Sequence, residues 1–104
     1  MKQKTSAVVD ESRDDPDWLF PHGKVFWTPA VIREISLEDV GWSLACHLAG
    51  DWGDIDPKDW RKNDLALERG DRLFSAYHTD AGKMVWVITE ADRSMTTVLL
   101  PEDY

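Results

Sequence analysis

The stretch from Asp71 to Leu100 is the part of this sequence that most constrains the fold. It contains three short runs rich in β-branched and aromatic residues, which are the residue types that pack well in strands. Two polar segments separate the runs, so the pattern predicts three strands joined by two hairpins, at Arg72–His78, Met84–Thr89 and Met95–Leu100. The middle run is apolar at nearly every position, which indicates a central strand covered on both faces.

Both predicted connections have the composition of hairpin loops. The first, Thr79–Gly82, ends in a glycine that can adopt a positive φ. The second, Glu90–Ser94, is polar apart from one alanine. Pro101 has no N–H to donate to a neighbouring strand, so it ends the third strand. We therefore expect an antiparallel meander, with the rest of the chain covering one of its faces.

The residues before the meander predict one more strand and several helices. Lys24–Thr28 is a short apolar run that can add an edge strand to the sheet. Pro29–Ile35 follows a threonine that is a good N-cap, and it predicts a short helix of about two turns. Ser36 opens a longer amphipathic helix, and Asp56 caps another over Pro57–Glu68.

These elements predict an α+β fold in one domain, residues 18–104. The predicted sheet has three to four antiparallel strands, and two helices pack on one face of it. Residues 1–17 are polar and crowded with acidic side chains near their end, which is typical of a disordered acidic tail. Trp27, Trp42, Trp60 and Trp86 are expected in the core, and an exposed tryptophan would indicate an interface with a partner.

The charge balance argues against nucleic acid as a partner. The 104 residues include 20 aspartates and glutamates against 12 lysines and arginines, for a formal net charge of −8. Proteins that bind nucleic acid usually present a basic face to the phosphates. The acidity is compatible with plain solubility, with attraction to a basic partner, or with imitation of nucleic acid.

The sequence also predicts a location. Cys46 is the only cysteine, so no disulfide can form within the chain, which fits a reducing compartment. No apolar run approaches the roughly 18–20 residues that span a bilayer, and the N-terminus has no hydrophobic signal core. We therefore expect a cytoplasmic protein that does not associate with membranes.

From Gly23 onward the chain resembles an uncharacterised group of small bacterial proteins that occur on plasmids, integrative elements and chromosomes. The motifs that carry the resemblance are Gly50–Asp54, Ser75–Tyr77, Trp86–Ser94 and Thr96–Tyr104. Some members carry a name that links them to type I restriction-modification subunits. This chain has neither a glycine-rich cofactor loop nor an Asn-Pro-Pro-aromatic motif, so a methyltransferase role is rejected. The resemblance therefore implies a mobile-element setting and no defined reaction.

The meander is also similar to the C-terminal sheet of barnase-type ribonucleases, over Asp71–Ser75 and the hairpin Trp86–Thr97. In that family a glutamate is the base, a histidine in the last hairpin loop is the acid, and an arginine on the preceding strand binds phosphate. Arg72 matches the position of that arginine. Asp92 and Arg93 stand near the place of the histidine, so the general acid has no counterpart here.

The second hairpin loop is the first candidate for a functional surface, together with Arg72 on the first strand of the meander. The loop places the carboxylates of Glu90 and Asp92, the guanidinium of Arg93 and the hydroxyl of Ser94 within one turn. An arginine can hold a phosphate or carboxylate through two hydrogen bonds, and a carboxylate can act as a base. The alternative is an ordinary solvated turn, held by a contact between Arg93 and one of the carboxylates.

The second candidate is an interface formed by Asp51, Trp52 and Asp54, although Trp52 is equally compatible with a core position. The aspartates here do not follow the ligand spacing of a calcium loop, and no cluster suits zinc, so we predict no metal and no cofactor. Cys46 and His47 are adjacent on a helix and point about 100° apart, which is poor geometry for a catalytic pair. Structural or solvated roles are expected for the histidines.

No residue stands out as catalytic, and the sequence leaves several functions open. The leading hypothesis is a non-enzymatic module that binds a protein partner of unknown identity. A second is a barnase-like or toxin-like ribonuclease descendant that uses Arg72, Glu90 and Arg93. Others are a nucleic-acid mimic or anti-restriction-type inhibitor, and a small domain of a larger assembly. A homodimer is also possible, since Lys24–Thr28 or Met95–Leu100 can lie at an edge of the sheet.

Overall fold

The computed structural model describes residues 18–104, and the predicted acidic tail lies outside the described residues. The described chain forms four strands and three α-helices, followed by a short 3-10 helix. In chain order these are β1 (Lys24–Trp27), α1 (Pro29–Glu34), α2 (Leu37–Leu48), α3 (Pro57–Arg69), β2 (Leu73–His78), β3 (Met84–Thr89), β4 (Met95–Leu99) and the 3-10 helix Pro101–Asp103. The predicted α+β class is confirmed, and the three α-helices lie where the sequence predicts them.

The strands form one sheet in the order β1-β4-β3-β2. The meander pairs as the sequence predicts, β2 with β3 and β3 with β4, both antiparallel. β1 lies at the edge beside β4, but the two run parallel, with Lys24 opposite Met95 and Trp27 opposite Val98. The sheet is therefore mixed, and the expectation of antiparallel pairing does not hold for β1. A parallel neighbour needs a long crossover, and the chain between β1 and β4, which includes all the helices, supplies one.

The helices begin where the sequence places their caps. The side chains of Thr28, Ser36 and Asp56 each accept a hydrogen bond from the backbone N–H three residues on, at 3.2, 3.1 and 2.9 Å. These bonds satisfy donors that have no partner within the first turn of a helix. Within residues 18–104, no helix combines the length and the apolar character needed to cross a lipid bilayer.

The core lies between the helices and one face of the sheet. Its strand residues alternate along the chain, as the two-residue period of a strand requires, and Leu73, Val85 and Val98 have no exposed surface. Val31 of α1 and Leu48 of α2 belong to the same cluster. Burying a side chain of this size stabilises the fold by about 1.5–3 kcal/mol.

The tryptophans are not all in this core. Trp52 has no exposed surface, whereas Trp27 and Trp42 are 36% and 56% exposed, and Trp60 and Trp86 are partly buried. The prediction of a core position was therefore wrong for Trp27 and Trp42, and also for Trp86, which lies on the face of the sheet away from the core. Trp27 ends the edge strand β1, where a neighbouring strand covers only one side of it.

The opposite face of the sheet, here called the open face, carries Phe26, Thr97, Ile88 and Phe74, which the strand register places in one row. Trp86 lies on the same face, and its ring meets that of Phe74 edge to face. Phe26 is 49% exposed there. After β4 the chain folds back, and the ring of Tyr104 meets that of Trp86 edge to face, with centroids 5.7 Å apart. The end of the chain therefore shields part of the open face.

Hydrogen bonds from elsewhere in the chain close the outer edge of β2. The carboxamide of Asn63 accepts from the N–H of Phe74 at 3.1 Å and donates to its carbonyl. The N–H of Ala76 donates to the carbonyl of Trp52 at 3.2 Å, and the N–H of Asp54 donates to the carbonyl of Ala76 at 2.6 Å. Open edges tend to pair with other chains, and these bonds remove that hazard at β2.

Gly53 allows the close approach on which this edge depends. Its φ is 80°, in the left-handed region that favours glycine. A Cβ at this position would lie 2.1 Å from the carbonyl oxygen of Ala76. Any other residue would push the segment away from β2 and break the bonds that close its edge.

Candidate functional site

The loop between β3 and β4 is a tight turn that its own arginine holds in place. Arg93 adopts φ 62°, which is uncommon for a residue with a side chain. Its Nη1 donates to the carbonyls of Asp71, Glu90 and Ala91 at 2.7, 3.1 and 3.3 Å. Its Nη2 donates to the carbonyl of Ala66, in the last turn of α3, at 3.3 Å. Since these donors already face backbone carbonyls, Arg93 has a structural role and is not presented to an incoming anion.

Asp92 and Ser94 bond to each other within the same turn. Oδ1 of Asp92 accepts from the N–H of Ser94 at 2.9 Å, a common way for an aspartate to close a turn. Hydrogen bonds from Ser94 also lower the pKa of the Asp92 carboxyl. Together with Arg93, these residues shape the turn. The alternative expected a contact between Arg93 and a carboxylate to hold it, whereas the guanidinium bonds to backbone carbonyls and the carboxylate of Glu90 pairs with Arg72.

Arg72 and Glu90 lie together at the open face. Nε of Arg72 is 3.6 Å from Oε1 of Glu90, and the two side chains are 48% and 36% exposed. Nη1 of Arg72 also donates to the hydroxyl of Tyr104 at 3.1 Å. An exposed pair of this kind contributes only about 0–1 kcal/mol, so Arg72 can exchange Glu90 for another anion at little cost. A pocket of about 310 Å³ opens beside the pair, lined by Arg72, Phe74, Trp86, Ile88 and Tyr104.

The structure thus separates the residues named for a ribonuclease. Arg72 and Glu90 meet at the open face, whereas the guanidinium of Arg93 lies over the ring of Phe20, which belongs to the core on the helix side. Acid–base cleavage needs a base and an acid within reach of the same phosphate. None of the described residues that line the open-face pocket is a histidine.

The segment predicted as an interface is divided between core and surface. Trp52 has no exposed surface, and its indole Nε1 donates to Oδ1 of Asp64 at 3.0 Å. The ring also packs against those of Phe20 and His47. The prediction of Trp52 as an interface residue does not hold, because a fully buried ring cannot reach a partner.

The aspartates around Trp52 have partners of their own. Asp51 accepts from the N–H of Gly53 at 3.1 Å, and Oδ2 of Asp54 lies 2.9 Å from Nδ1 of His78. Asp56 is the N-cap of α3. In the part of the chain that the structure describes, no three His, Cys, Asp or Glu side chains are grouped so as to hold a metal ion.

A cleft that sequence reasoning missed lies between α2 and the hairpin that joins β2 to β3. Trp42 borders it, 56% exposed, with its ring edge to face against Tyr77 at 5.6 Å between centroids. The cleft has a volume of about 460 Å³ and is lined by Glu38, Asp39, Trp42, His78, Thr79 and Asp80. We call it the acidic cleft. The helical spacing could have predicted that Trp42 is exposed, because it lies about 200° around the helix axis from the buried Val40.

The charges of the acidic cleft suit a cation. Glu38, Asp39 and Asp80 contribute carboxylates, and His78 is already paired with Asp54. The face of an exposed indole attracts an ammonium or guanidinium within about 6 Å of its centre. The carboxylates add Coulomb attraction, which salt screens over about 10 Å at 0.1 M. The site therefore favours a lysine or arginine side chain over an anion.

His47 lies at the centre of a buried hydrogen-bond chain. Its Nδ1 is 2.5 Å from the hydroxyl of Ser75 and its Nε2 is 2.9 Å from that of Thr89. Thr89 in turn bonds to Thr96 at 2.7 Å, and Thr96 donates to the carbonyl of His22 at 2.8 Å. Because a carbonyl can only accept, Thr89 must donate to Thr96, and Nε2–H of His47 must donate to Thr89. Burial lowers the pKa of His47 and so keeps the ring neutral, which leaves Nδ1 without a proton and able to accept from Ser75.

The protonation state of His47 agrees with the structural role predicted for it. Burial, aided by the positive charge of Arg93, lowers the pKa of His47 to about 3. The ring has no exposed surface and both of its nitrogens are hydrogen-bonded. These hydrogen bonds fix the position of α2 against the sheet. None of the groups in them is exposed to a substrate.

Comparisons of the chain with protein-family models, curated proteins and solved structures return no match. The resemblances to a group of bacterial mobile-element proteins and to barnase-type ribonucleases therefore stay predictions. The geometry of the acidic cleft and of the open face is what supports a function.

Proposed function

We propose that this protein is a non-enzymatic module that binds a basic segment of a protein partner in the acidic cleft. The observation that carries the proposal is Trp42, a large aromatic side chain that is 56% exposed and stands beside three carboxylates. Tryptophan is enriched among the residues that dominate protein–protein binding. A partner that lays a lysine or arginine on this ring gains a cation–π contact and Coulomb attraction together.

The ring of Trp42 rests on an anchored support. Tyr77 is 2% exposed, and its hydroxyl donates to the carbonyl of Asp51 at 2.6 Å. Burial raises the pKa of Tyr77 well above its usual value, so the hydroxyl stays protonated and keeps donating. A support that is already ordered lowers the entropy lost on binding.

The overall charge favours the same class of partner. A net charge of −8 attracts basic proteins and repels phosphate. Proteins that bind nucleic acid carry basic faces, so the mimic and anti-restriction hypotheses are special cases of this proposal. We place the module in the cytoplasm, which the single cysteine favours, and in the mobile-element setting that the sequence resemblance implies.

Direct binding of a basic peptide tests the proposal. The protein is titrated with an Arg- and Lys-rich peptide while NMR follows the indole N–H signals, and the Trp42→Ala variant assigns the signal of Trp42. We expect this signal to shift and the variant to bind roughly tenfold more weakly. Leu19→Ala is the matched control, because Leu19 is 54% exposed and lies at the other end of α2, beside Leu48.

A Glu-rich peptide of the same length gives the control for charge, and it should not bind. Equal affinity of the basic peptide for the wild type and for Trp42→Ala would contradict the proposal. So would a peptide-dependent shift confined to other indole signals, since it would place the binding site elsewhere on the acidic surface.

One observation favours a second candidate, the ribonuclease descendant. Arg72 and Glu90 form a polar pair at the open face beside a pocket lined by aromatic rings. An arginine there can hold a phosphate, and a carboxylate can take a proton. The test is cleavage of single-stranded RNA by the purified protein and by Arg72→Gln. Arg93→Ala does not serve this purpose, because losing its contacts with backbone carbonyls destabilises the fold.

A further inference from the structure

The two edges of the sheet differ. Asn63 and the segment 52–54 close the edge of β2. At the other edge, the N–H groups of Lys24 and Thr28 bond toward β4, so those of Val25 and Trp27 point outward. Among residues 18–104, no group pairs with the outward N–H and C=O of these two residues.

Both sides of this edge carry exposed apolar groups. Phe26 is 49% exposed on the open face, and near the helix side Trp27 and Ile32 are 36% and 63% exposed. A groove of about 450 Å³ lies beside them, lined by Trp27, Val31, Ile32, Ile35, Ser36, Leu37 and Val40. A strand with outward backbone groups and apolar neighbours is a template for one more strand.

We propose that β1 pairs with β1 of a second copy of this chain, antiparallel about a twofold axis, so that two sheets join into one. In the register that uses every outward group, Phe26 lies opposite Phe26 of the second copy and Val25 lies opposite its Trp27. Val25 and Trp27 then exchange N–H···O=C bonds in both directions. The two Phe26 rings meet at the axis as a directly opposed pair, where side chains on neighbouring strands come closest.

The charges at the ends of β1 fit this register. Lys24 faces the same side as Phe26, and it lies opposite Thr28 of the second copy. The hydroxyl of Thr28 donates to Oδ2 of Asp103 at 2.7 Å, which brings a carboxylate to the place where the second Lys24 arrives. That hydrogen bond lowers the pKa of Asp103, so the carboxylate is charged at neutral pH. The twofold axis makes this attraction occur at both ends.

A homodimer of this chain needs such local attraction. Two copies of net charge −8 repel each other, and a contact between surfaces of one sign opposes association. At the β1 edge, Lys24 of each copy meets Asp103 of the other, so the repulsion is offset where the copies touch. This self-complementarity favours a second copy over an unrelated acidic or neutral strand.

The mass of the full chain in solution, measured by light scattering over a range of concentrations, tests the proposal. We expect a monomer–dimer equilibrium in the wild type. Phe26→Lys sets two ammonium groups side by side at the axis and should leave the protein monomeric. Leu65→Lys is the matched control, because Leu65 is 44% exposed on α3, and it should still dimerise. Circular dichroism checks that both variants fold.

A charge exchange tests the register itself. In Lys24→Glu, and separately in Asp103→Lys, each homodimer would place like charges at both ends of the paired strands. A mixture of the two variants restores opposite charges at both ends of a heterodimer. We expect the mixture to associate at least about tenfold more tightly than either variant alone. Equal association of the mixture and of the separate variants would overturn this register.

Amide hydrogen exchange keeps the proposal testable if a variant fails to fold. In the wild type, protection of the Val25 and Trp27 amides should rise with protein concentration. A chain that stays monomeric at every concentration overturns the proposal, and so does a dimer that Phe26→Lys leaves intact. Protection that is independent of concentration and vanishes when residues 1–17 are removed would assign the edge to the N-terminal segment instead.

Discussion

Acid should destabilise this protein through His47. The folded chain keeps the ring neutral, because burial makes the charged form costly and the neutral Nδ1 accepts from Ser75. A protonated ring would have no acceptor at Nδ1 unless the hydroxyl of Ser75 turned, and it would place a charge where there is no exposed surface. Unfolding releases the ring to water, where protonation is unhindered.

The sign and size follow from the two pKa values. His47 has a pKa of about 3 in the folded protein and the ordinary 6.5 in the unfolded chain. Above 6.5 its contribution to stability is fully present. Below that value the unfolded chain binds a proton that the folded chain does not, so the free energy of unfolding falls by up to about 1.4 kcal/mol per pH unit until the folded pKa is reached. Two pH units below 6.5, the loss is about 2–3 kcal/mol.

Urea unfolding of the wild type and of His47→Gln at a series of pH values measures this effect. Glutamine can bond to the same hydroxyl groups but does not titrate in this range, and the acidic residues common to both proteins cancel in the difference. The variant should be less stable at neutral pH, because its bonds are less well placed. The gap between the two proteins should then narrow as the pH falls.

A pH-independent gap would show that His47 does not control acid stability. NMR of the ring gives an independent check on the folded protein. We expect the carbon-bound ring protons of His47 to show no titration between neutral pH and about pH 4. A midpoint near the ordinary 6.5 would mean that the buried chain accommodates the charged ring.

Three further substitutions test other parts of the fold by urea unfolding. Gly41 lies on α2 where a Cβ would meet nothing within 4 Å, so Gly41→Ala should stabilise by about 0.5–1 kcal/mol, and a decrease would contradict the open space found there. Ser43 has a buried hydroxyl with no hydrogen-bond partner among residues 18–104, so Ser43→Ala should be neutral or stabilise by about 1 kcal/mol. Destabilisation would reveal a partner for that hydroxyl. Asn63→Leu leaves the backbone groups of Phe74 unpaired and should cost about 2–4 kcal/mol while speeding amide exchange at Phe74. Unchanged exchange would mean that Asn63 does not protect this edge.

The candidate site was only partly predictable, and Arg93 shows why. Its type and its place in a hairpin loop favoured a ligand-binding role. Two of the four carbonyls that bind it, those of Asp71 and Ala66, are more than 20 residues away in sequence. Nothing in the local pattern points to those carbonyls. Arg72 and Glu90 do meet in space, since they flank Leu73 and Thr89, the last residues that the hairpin pairs.

Trp42 and Trp52 also show that residue type alone does not determine whether a residue is buried or exposed. Both are large apolar residues, and composition alone places such residues in a core or at an interface. The helical period contained the information for Trp42, which lies far around α2 from the buried stripe. For Trp52 the loop has no period, and its burial depends in part on the ring of Phe20, which comes from a distant part of the chain.

Local sequence was enough for the strands of the meander, the hairpin loops and the N-caps at Thr28, Ser36 and Asp56. These features depend on interactions within a few residues, such as a cap bonding to the third N–H after it. Long-range packing settled the parallel direction of β1, the closed edge of β2, the structural role of Arg93 and the acidic cleft. Each of these depends on which distant segments pack against each other, and many tertiary arrangements are compatible with the same local patterns.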